Sequence, residues 1–386
     1  MIKRDVALTK ALFFLFGVGI MSWIPRFPEV KEKLAVNNGL FGTMLSVGAF
    51  GSLIALLTIG HLVDHFGAKR MMLVGITMLT SAFVAIVHTS NHELFITLNI
   101  LVGFSMSMLH IANNAQAFHD QDRGGKNLVI SAAGYWSAGS LLTTILSMFL
   151  IGKVSLEVHI TTLFLIVWAL MVIVIYMRHE TLVPANKHDS VRRSIYQDLK
   201  KFNFDWMINF GLIFGIMLEF AITDWSTIFA KEDGGISPSL APLPFMFFTI
   251  FMIIGRVSIN TLKKRFHISN LVRFGGVLAG TSFLIGIWTV DRFGLPGLVI
   301  SFSLAGLGSS YIGPAFLNAA NTRIDLPASI VIGQISAVNA MLSWVLKQVI
   351  AFLAQFTGLQ VALSLPALMV IAVGLFAKVF KPKPAK

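Results

Sequence analysis

Cysteine is absent from the 386 residues, so the chain can form neither a disulfide nor a thiolate metal site. Charge is scarce: Asp, Glu, Lys and Arg make up 12% of the chain, against about 25% in an average soluble domain. Acids are scarcer than bases, 18 against 30, and the formal net charge is +12. No phosphate loop, nucleophile elbow or zinc motif occurs. That leaves nothing resembling an ATP site. An integral-membrane enzyme would need nucleophiles, acids or metal ligands clustered near an interface, and none is evident. Instead, 55% of the residues are hydrophobic and the mean hydropathy is +0.78, the composition of a polytopic membrane protein.

A net charge of +12 would suit a nucleic-acid binder if it lay on one surface, but here it follows membrane topology. Twelve apolar segments can be drawn, at 6–24, 40–59, 71–88, 94–118, 128–150, 158–177, 207–230, 240–262, 271–290, 294–317, 329–353 and 358–379. Each approaches the roughly 20 residues that cross a bilayer. With residues at the very ends of these spans counted with the adjoining loops, 22 Lys and Arg fall on one side and 6 on the other, while Arg256 and Lys347 lie inside spans. The bias is the positive-inside pattern, with both termini cytoplasmic and a plasma (inner) membrane location expected. Residues 1–23 have a basic start and an apolar core, but no small-residue cleavage site follows, so they read as an uncleaved first span.

Short polar turns join the spans except at 178–206. That segment is expected to be a cytoplasmic central loop dividing a six-span half at 1–177 from another at 207–386. Val191, Ile195, Leu199 and Phe202 recur there at helical spacing, with Arg192, Arg193, Lys200 and Lys201 among them, which suits an amphipathic helix on the inner membrane surface. A shift of 195 sets Gly60 on Gly255, Lys69 on Lys264 and Arg70 on Arg265, a worn internal repeat.

A charge inside a bilayer is costly and marks a candidate functional group. Glu219 lies near the middle of span 7 and shares a helical face with Thr223 and Ser226, so it is the first candidate proton-linked carboxyl; Asp224, nearer the outer end, is a second candidate or a group that simply faces water. In span 11, Ser336, Asn339, Ser343 and Lys347 form one polar stripe that must avoid lipid. Asn339 is a candidate solute contact, and Lys347 is a candidate partner for Glu219 or for an anionic solute. In span 4, His110, Asn113, Asn114 and Gln116 suggest a hydrogen-bonding wall for a polar solute; amide bonding between helices is the alternative. Arg256 in span 8 reads as an interfacial anchor or a conformational ion pair. Spans 1–6 as drawn contain no acid within the membrane.

Weaker features surround these. His61 and His65, like His88 and His92, are four apart, but neither pair has a convincing third ligand, so no metal or other cofactor is expected. Trp23-Ile24-Pro25-Arg26-Phe27-Pro28 ends span 1, where Trp23 suits the interfacial belt and Arg26 reads as a solvated loop residue.

The stretch 60–70, Gly-His-Leu-Val-Asp-His-Phe-Gly-Ala-Lys-Arg, reads as a tight charged turn between spans 2 and 3, its glycines allowing close backbone approach and Lys69 and Arg70 marking the cytoplasmic side. It resembles the loop 2–3 signature of the major facilitator superfamily, matching at Gly60, Leu62, Asp64, Gly67 and Lys69 and departing at His65 and Ala68. The resemblance implies an all-α major facilitator fold of 12 transmembrane helices in two six-helix halves. It also implies a solute site near mid-membrane and a role for Gly60, Asp64, Gly67, Lys69 and Arg70 in bracing one access state. Asn114-Ala115-Gln116, Trp136-Ser137-Ala138-Gly139 and Glu219 followed by Asp224-Trp225-Ser226 look like the fucose-permease-like branch. Sugar–proton symporters of that branch use acids in their first half, so coupling here would move to Glu219. The Gly-Pro-rich motif of drug–proton antiporters is missing from span 5.

The expected function is secondary active transport of a small polar solute by alternating access, with protons as the coupling ion and with a monomer sufficing. The alternatives are a non-transporting sensor or scaffold on a transporter fold, and an efflux carrier for amphipathic compounds.

Overall fold

The structure is a computed structural model that describes residues 2–123, 128–179, 205–323 and 328–380. Regular structure among these residues is helical throughout. In chain order the helices are α1 (Ile2–Met21), α2 (Phe27–Leu34), α3 (Asn38–Ser46), α4 (Gly48–Phe66), α5 (Ala68–His88), α6 (His92–Asp122), α7 (Leu128–Leu150) and α8 (Leu156–Tyr176). They continue with α9 (Trp206–Glu232), α10 (Leu243–Leu262), α11 (Ile268–Trp288), α12 (Val290–Ser309), α13 (Ile312–Arg323), α14 (Ala328–Thr357) and α15 (Leu359–Ala372). Ten helical stretches among the described residues are long and apolar enough to cross a membrane, and α7 and α10 supply the other two expected spans. The amphipathic segment expected around Val191 to Phe202 lies outside the described residues.

Hydrocarbon offers no hydrogen bonds, so a spanning segment must satisfy its backbone internally, and a break needs its own partner. Expected span 2 breaks at Val47, between α3 and α4. The Asn99 amide on α6 donates to the carbonyls of Met44 (2.6 Å) and Leu45 (3.1 Å), which the break leaves without helical partners. The first span ends at a short 3-10 turn, Ile24–Arg26, followed by α2, with prolines at the first turn of each.

The chain forms two compact units. Unit 1 comprises Met1–Val36 and Met44–Gln197; unit 2 comprises Asn37–Thr43 and Asp198–Lys386. In unit 1, α1 and α7 touch backbone to backbone. A Cβ on Gly139 would lie 2.1 Å from the Phe14 carbonyl oxygen, so only glycine permits the approach. Trp23 is buried, edge-on to Phe27 and Phe83 and stacked on Phe95, a core plug rather than an interfacial anchor. Arg26 is fully buried, contrary to the solvated loop expected. Its Nη1 donates to both Glu29 carboxylate oxygens (2.9 and 2.7 Å), Nη2 to the Val154 carbonyl (3.1 Å) and Nε to His159 Nδ1 (3.2 Å). A guanidinium needs many acceptors to leave water, and the chain around Pro25 and Pro28 folds back to supply them.

Spans 1–6 as drawn contain no acid, but buried acids of unit 1, Asp5 and Asp120, lie just beyond their ends. α6 overruns the expected end at 118 and carries Asp120 into the interior. Asp120 Oδ2 pairs with Arg178 Nη2 at 2.6 Å, the two side chains being 2% and 0% exposed. Oδ2 also accepts from Thr9 Oγ1 (2.5 Å), and Oδ1 accepts from Gln116 Nε2 (2.9 Å). Arg178 Nη1 donates to Thr9 Oγ1 (2.6 Å) and to the Asp5 carbonyl (3.2 Å), while Asp5 Oδ1 accepts from the His179 amide (3.1 Å). The network ties α1, α6 and the chain leaving α8 at one end of unit 1.

In unit 2, α9 starts on an N-cap, Asp205, whose Oδ1 accepts from the Ile208 amide at 3.1 Å. Tyr311, between α12 and α13, is buried and donates to the Leu271 carbonyl on α11 at 2.7 Å. The residues Asn37–Thr43 belong here: Phe41 meets Trp225 edge-on and Thr43 Oγ1 donates to Gln348 Oε1 at 2.8 Å.

Two outcomes test these contacts by thermal unfolding in detergent. Gly139→Val overpacks α1 against α7 and costs about 1–3 kcal/mol, whereas Gly60→Ala, whose Cβ would meet nothing within 4 Å, leaves the transition unchanged. Asp120→Asn strands the Arg178 charge and costs roughly 3–5 kcal/mol, while the double replacement Asp120→Leu with Arg178→Met recovers much of that loss. A double variant no more stable than the single one would show that the pairing is not the source of the cost.

Candidate functional site

Unit 2 places two carboxylates on α9, five residues apart, each with a cation from a different helix. Glu219 Oε2 faces Arg256 Nη2 of α10 at 3.5 Å, and the Arg256 Nε donates to the Ser310 carbonyl at 3.1 Å. Asp224 Oδ2 meets Lys347 Nζ of α14 at 2.7 Å, and the same ammonium lies 5.0 Å above the centre of the Phe220 ring. Lys347 is therefore paired with Asp224, not with Glu219 as one reading of the sequence had it. The reason is register: the cation that reaches the level of Glu219 comes from α10. The two pairs also differ in tightness. Glu219 and Arg256 are 32% and 41% exposed and their contact is long; Asp224 and Lys347 are 17% and 25% exposed and in close contact.

Around these pairs the polar stripe of α14 splits. Asn339 is buried; its Nδ2 bonds the Ile335 carbonyl (3.0 Å) and Asn209 Oδ1 of α9 (3.3 Å), and its Oδ1 has no partner among the described residues. Ser343 Oγ on α14 and Ser226 Oγ on α9 are likewise buried without partners among the described residues. The Thr223 hydroxyl, expected to share the Glu219 face, is spent on the Glu219 carbonyl at 2.8 Å.

In unit 1 the expected wall on α6 divides between two faces. Gln116 turns inward and holds Asp120. Asn113 is also buried, but both its amide atoms lack partners among the described residues. Buried amides are rarely left so, and this one is competent to receive a polar group. On the other face His110 is exposed and stacked on Phe16, with ring centres 6.2 Å apart, and the Asn114 amide donates to the His110 carbonyl at 2.9 Å. The Asp120–Arg178 network was missed in the sequence because Arg178 lies 58 residues away, at the far end of another span.

The charged stretch 60–70 is mostly helix. α4 continues to Phe66, and the turn is the single residue Gly67, with φ 80° and ψ 155°. That conformation favours glycine. Gly60 is exposed on α4 and makes no close approach, whereas Gly255, its partner in the internal repeat, is buried against Ser310. Asp64 is exposed in the last turn of α4, Arg70 is exposed on α5, and Lys69 Nζ lies 4.5 Å over the centre of the Tyr176 ring. His88 and His92 diverge: the first reaches Thr161 Oγ1 (3.1 Å), the second the Leu34 carbonyl (2.9 Å).

The comparisons with known proteins agree with this architecture. The chain is 24% identical to an uncharacterized MFS-type transporter of Yersinia pestis over 378 residues, 96% of this chain and 94% of the relative. It is also 24% identical to the membrane protein MosC of Rhizobium meliloti, over 96% of this chain and 88% of that protein. Among solved structures, the nucleoside transporter NupG is similar with a TM-score of 0.79 at 14% identity, over 98% of this chain and 100% of that one. A D-xylose-proton symporter is similar with a TM-score of 0.75 at 14% identity, over 99% of this chain and 98% of the other. The sequence profile of the Major Facilitator Superfamily matches residues 11–346, and the chain belongs to that family of membrane transporters.

Proposed function

We propose that this transporter moves a small, polar, hydroxyl-rich solute in symport with protons, in the manner of the fucose-permease-like branch. The observation that carries the reading is the pair of ion pairs on α9. A carboxylate inside a bilayer is retained at a cost, and transporters use such groups as proton relays. Glu219 is the proton-linked group. Its contact with Arg256 is long and part-exposed, so protonation removes one charge from a pair that is already loose and leaves Arg256 on the Ser310 carbonyl. Asp224 holds Lys347 more tightly, which suits a pair that fixes α14 against α9.

Solute contacts are assigned to His110, Asn113 and Asn114 on α6 and to Asn339 and Lys347 on α14. Asn113 and Asn339 support this most directly, since both have buried amide atoms without protein partners among the described residues. Gln116 takes a positioning role through Asp120 instead. The solute class is supported by amides, which bond hydroxyls well, and by the nucleoside and xylose transporters to which the fold is similar. Asp64, Gly67, Lys69 and Arg70 steady one access state, with Gly67 setting the turn and Asp64 left exposed at a helix end that its own dipole disfavours for an acid. The basic turns support a reading with both termini on the cytoplasmic side of a plasma (inner) membrane.

Proteoliposomes loaded with a pH-sensitive dye test this with a panel of nucleosides, sugars, organic acids and cationic drugs. The expected result is a solute-dependent acidification for a sugar or nucleoside. Glu219→Gln abolishes uphill accumulation and the pH change but keeps solute exchange. Normal accumulation by Glu219→Gln would remove the carboxyl from coupling. Asn113→Ala raises the solute concentration for half-maximal transport about tenfold, the loss of about 1–2 kcal/mol from one or two hydrogen bonds.

A further inference from the structure

We propose that unit 2 carries a binding site for one anionic phospholipid, separate from the residues assigned to solute and protons. A cavity of about 530 Å³ opens among α10, α11 and α12, its walls including Ser258, Leu262, Phe266, Phe274, Leu278 and Tyr311. The two hydroxyls in that wall are already used: Ser258 Oγ donates to the Ile254 carbonyl (2.8 Å) and Tyr311 OH to the Leu271 carbonyl (2.7 Å). The wall therefore offers an occupant almost only hydrocarbon, which suits an acyl chain and does not suit a sugar or a nucleoside. Phe274 is 67% exposed and Phe266 is also exposed, so the cavity is open to the surroundings of the unit.

Lys263, Lys264 and Arg265 sit at one end of this apolar groove, between the wall residues Leu262 and Phe266. All three side chains are exposed, and none makes an ion pair among the described residues. The sequence holds no acid from Gly234 to Val290, so nothing nearby in the chain offsets them. Asn270, a further lining residue at the start of α11, is exposed and its side-chain amide makes no hydrogen bond among the described residues. An apolar slot with three uncompensated cations and an amide at one end matches an amphiphile with the opposite arrangement, an acyl chain below a phosphodiester head. Because Lys and Arg gather at the cytoplasmic face in membrane proteins, the head belongs to that leaflet.

Native mass spectrometry of the delipidated full-length protein, titrated with phosphatidylglycerol, phosphatidylethanolamine or inorganic phosphate, tests the site. One phosphatidylglycerol per chain is retained, at least about tenfold more tightly than phosphatidylethanolamine. The triple variant Lys263→Gln, Lys264→Gln, Arg265→Gln loses that preference; its positions are exposed, so folding, read by the thermal transition, is unaffected. Ser258→Trp fills the slot and lowers retention of both lipids. Inorganic phosphate neither binds nor displaces lipid. Equal retention of the two lipids by the unaltered protein, an unchanged preference in the triple variant, or displacement by phosphate alone would each overturn the proposal.

Discussion

A charge removed from water must be met by an opposite charge and by hydrogen-bond partners, and few of this chain's charges are removed from water without both. Arg26, Asp120 and Arg178 are the extreme cases, each essentially fully buried and each provided with several partners. These contacts determine more than local geometry. Arg178 cannot reach Asp120 unless α6 runs four residues past the hydrophobic stretch and α8 delivers its C-terminal end to the same place. The network therefore sets the relative positions of three segments at once. In unit 2 the same rule is met less completely, with part-exposed pairs on α9, and that difference separates the groups assigned to structure from those assigned to work.

The second constraint is how closely backbones can approach where lipid supplies no hydrophobic drive. The run Trp136-Ser137-Ala138-Gly139 has a physical meaning in these terms. A Cβ on Gly17 would fall 2.2 Å from the Trp136 carbonyl oxygen, and Gly139 meets Phe14 in the same way, so the motif is the contact line between α1 and α7. A pattern read as a family signature is here a packing requirement.

The apolar runs were legible because a bilayer imposes a length and a composition on each span, and the intramembrane charges Glu219, Asp224, Arg256 and Lys347 were legible because they interrupt those runs. Their pairing was not legible. Which cation meets which acid depends on helix register and on the neighbours a helix acquires, and neither is written in local spacing; hence Lys347 on Asp224 and Arg256 on Glu219. Asp120 was overlooked for a related reason: hydropathy marks where a helix can leave hydrocarbon, not where its hydrogen bonds stop, and α6 continues to Asp122. Arg26 illustrates the limit from the other side, since a residue flanked by prolines looks like loop until its acceptors at Glu29, Val154 and His159 are assembled around it.

Gly67 alone separates α4 from α5, whereas Lys263 to His267 separate α10 from α11. A single-residue joint has almost no slack. A tilt of α4 is passed to α5 as torque rather than absorbed, and Lys69, seated on Tyr176, carries the same motion to the end of α8. The five-residue joint of unit 2 is longer and is itself a hydrogen-bonded turn, with the Arg265 and Phe266 amides both donating to the Leu262 carbonyl. The two turns, related in sequence, are thus built unlike: the geometry of one glycine fixes the angle between the helices of unit 1, whereas a whole hydrogen-bonded turn spaces those of unit 2.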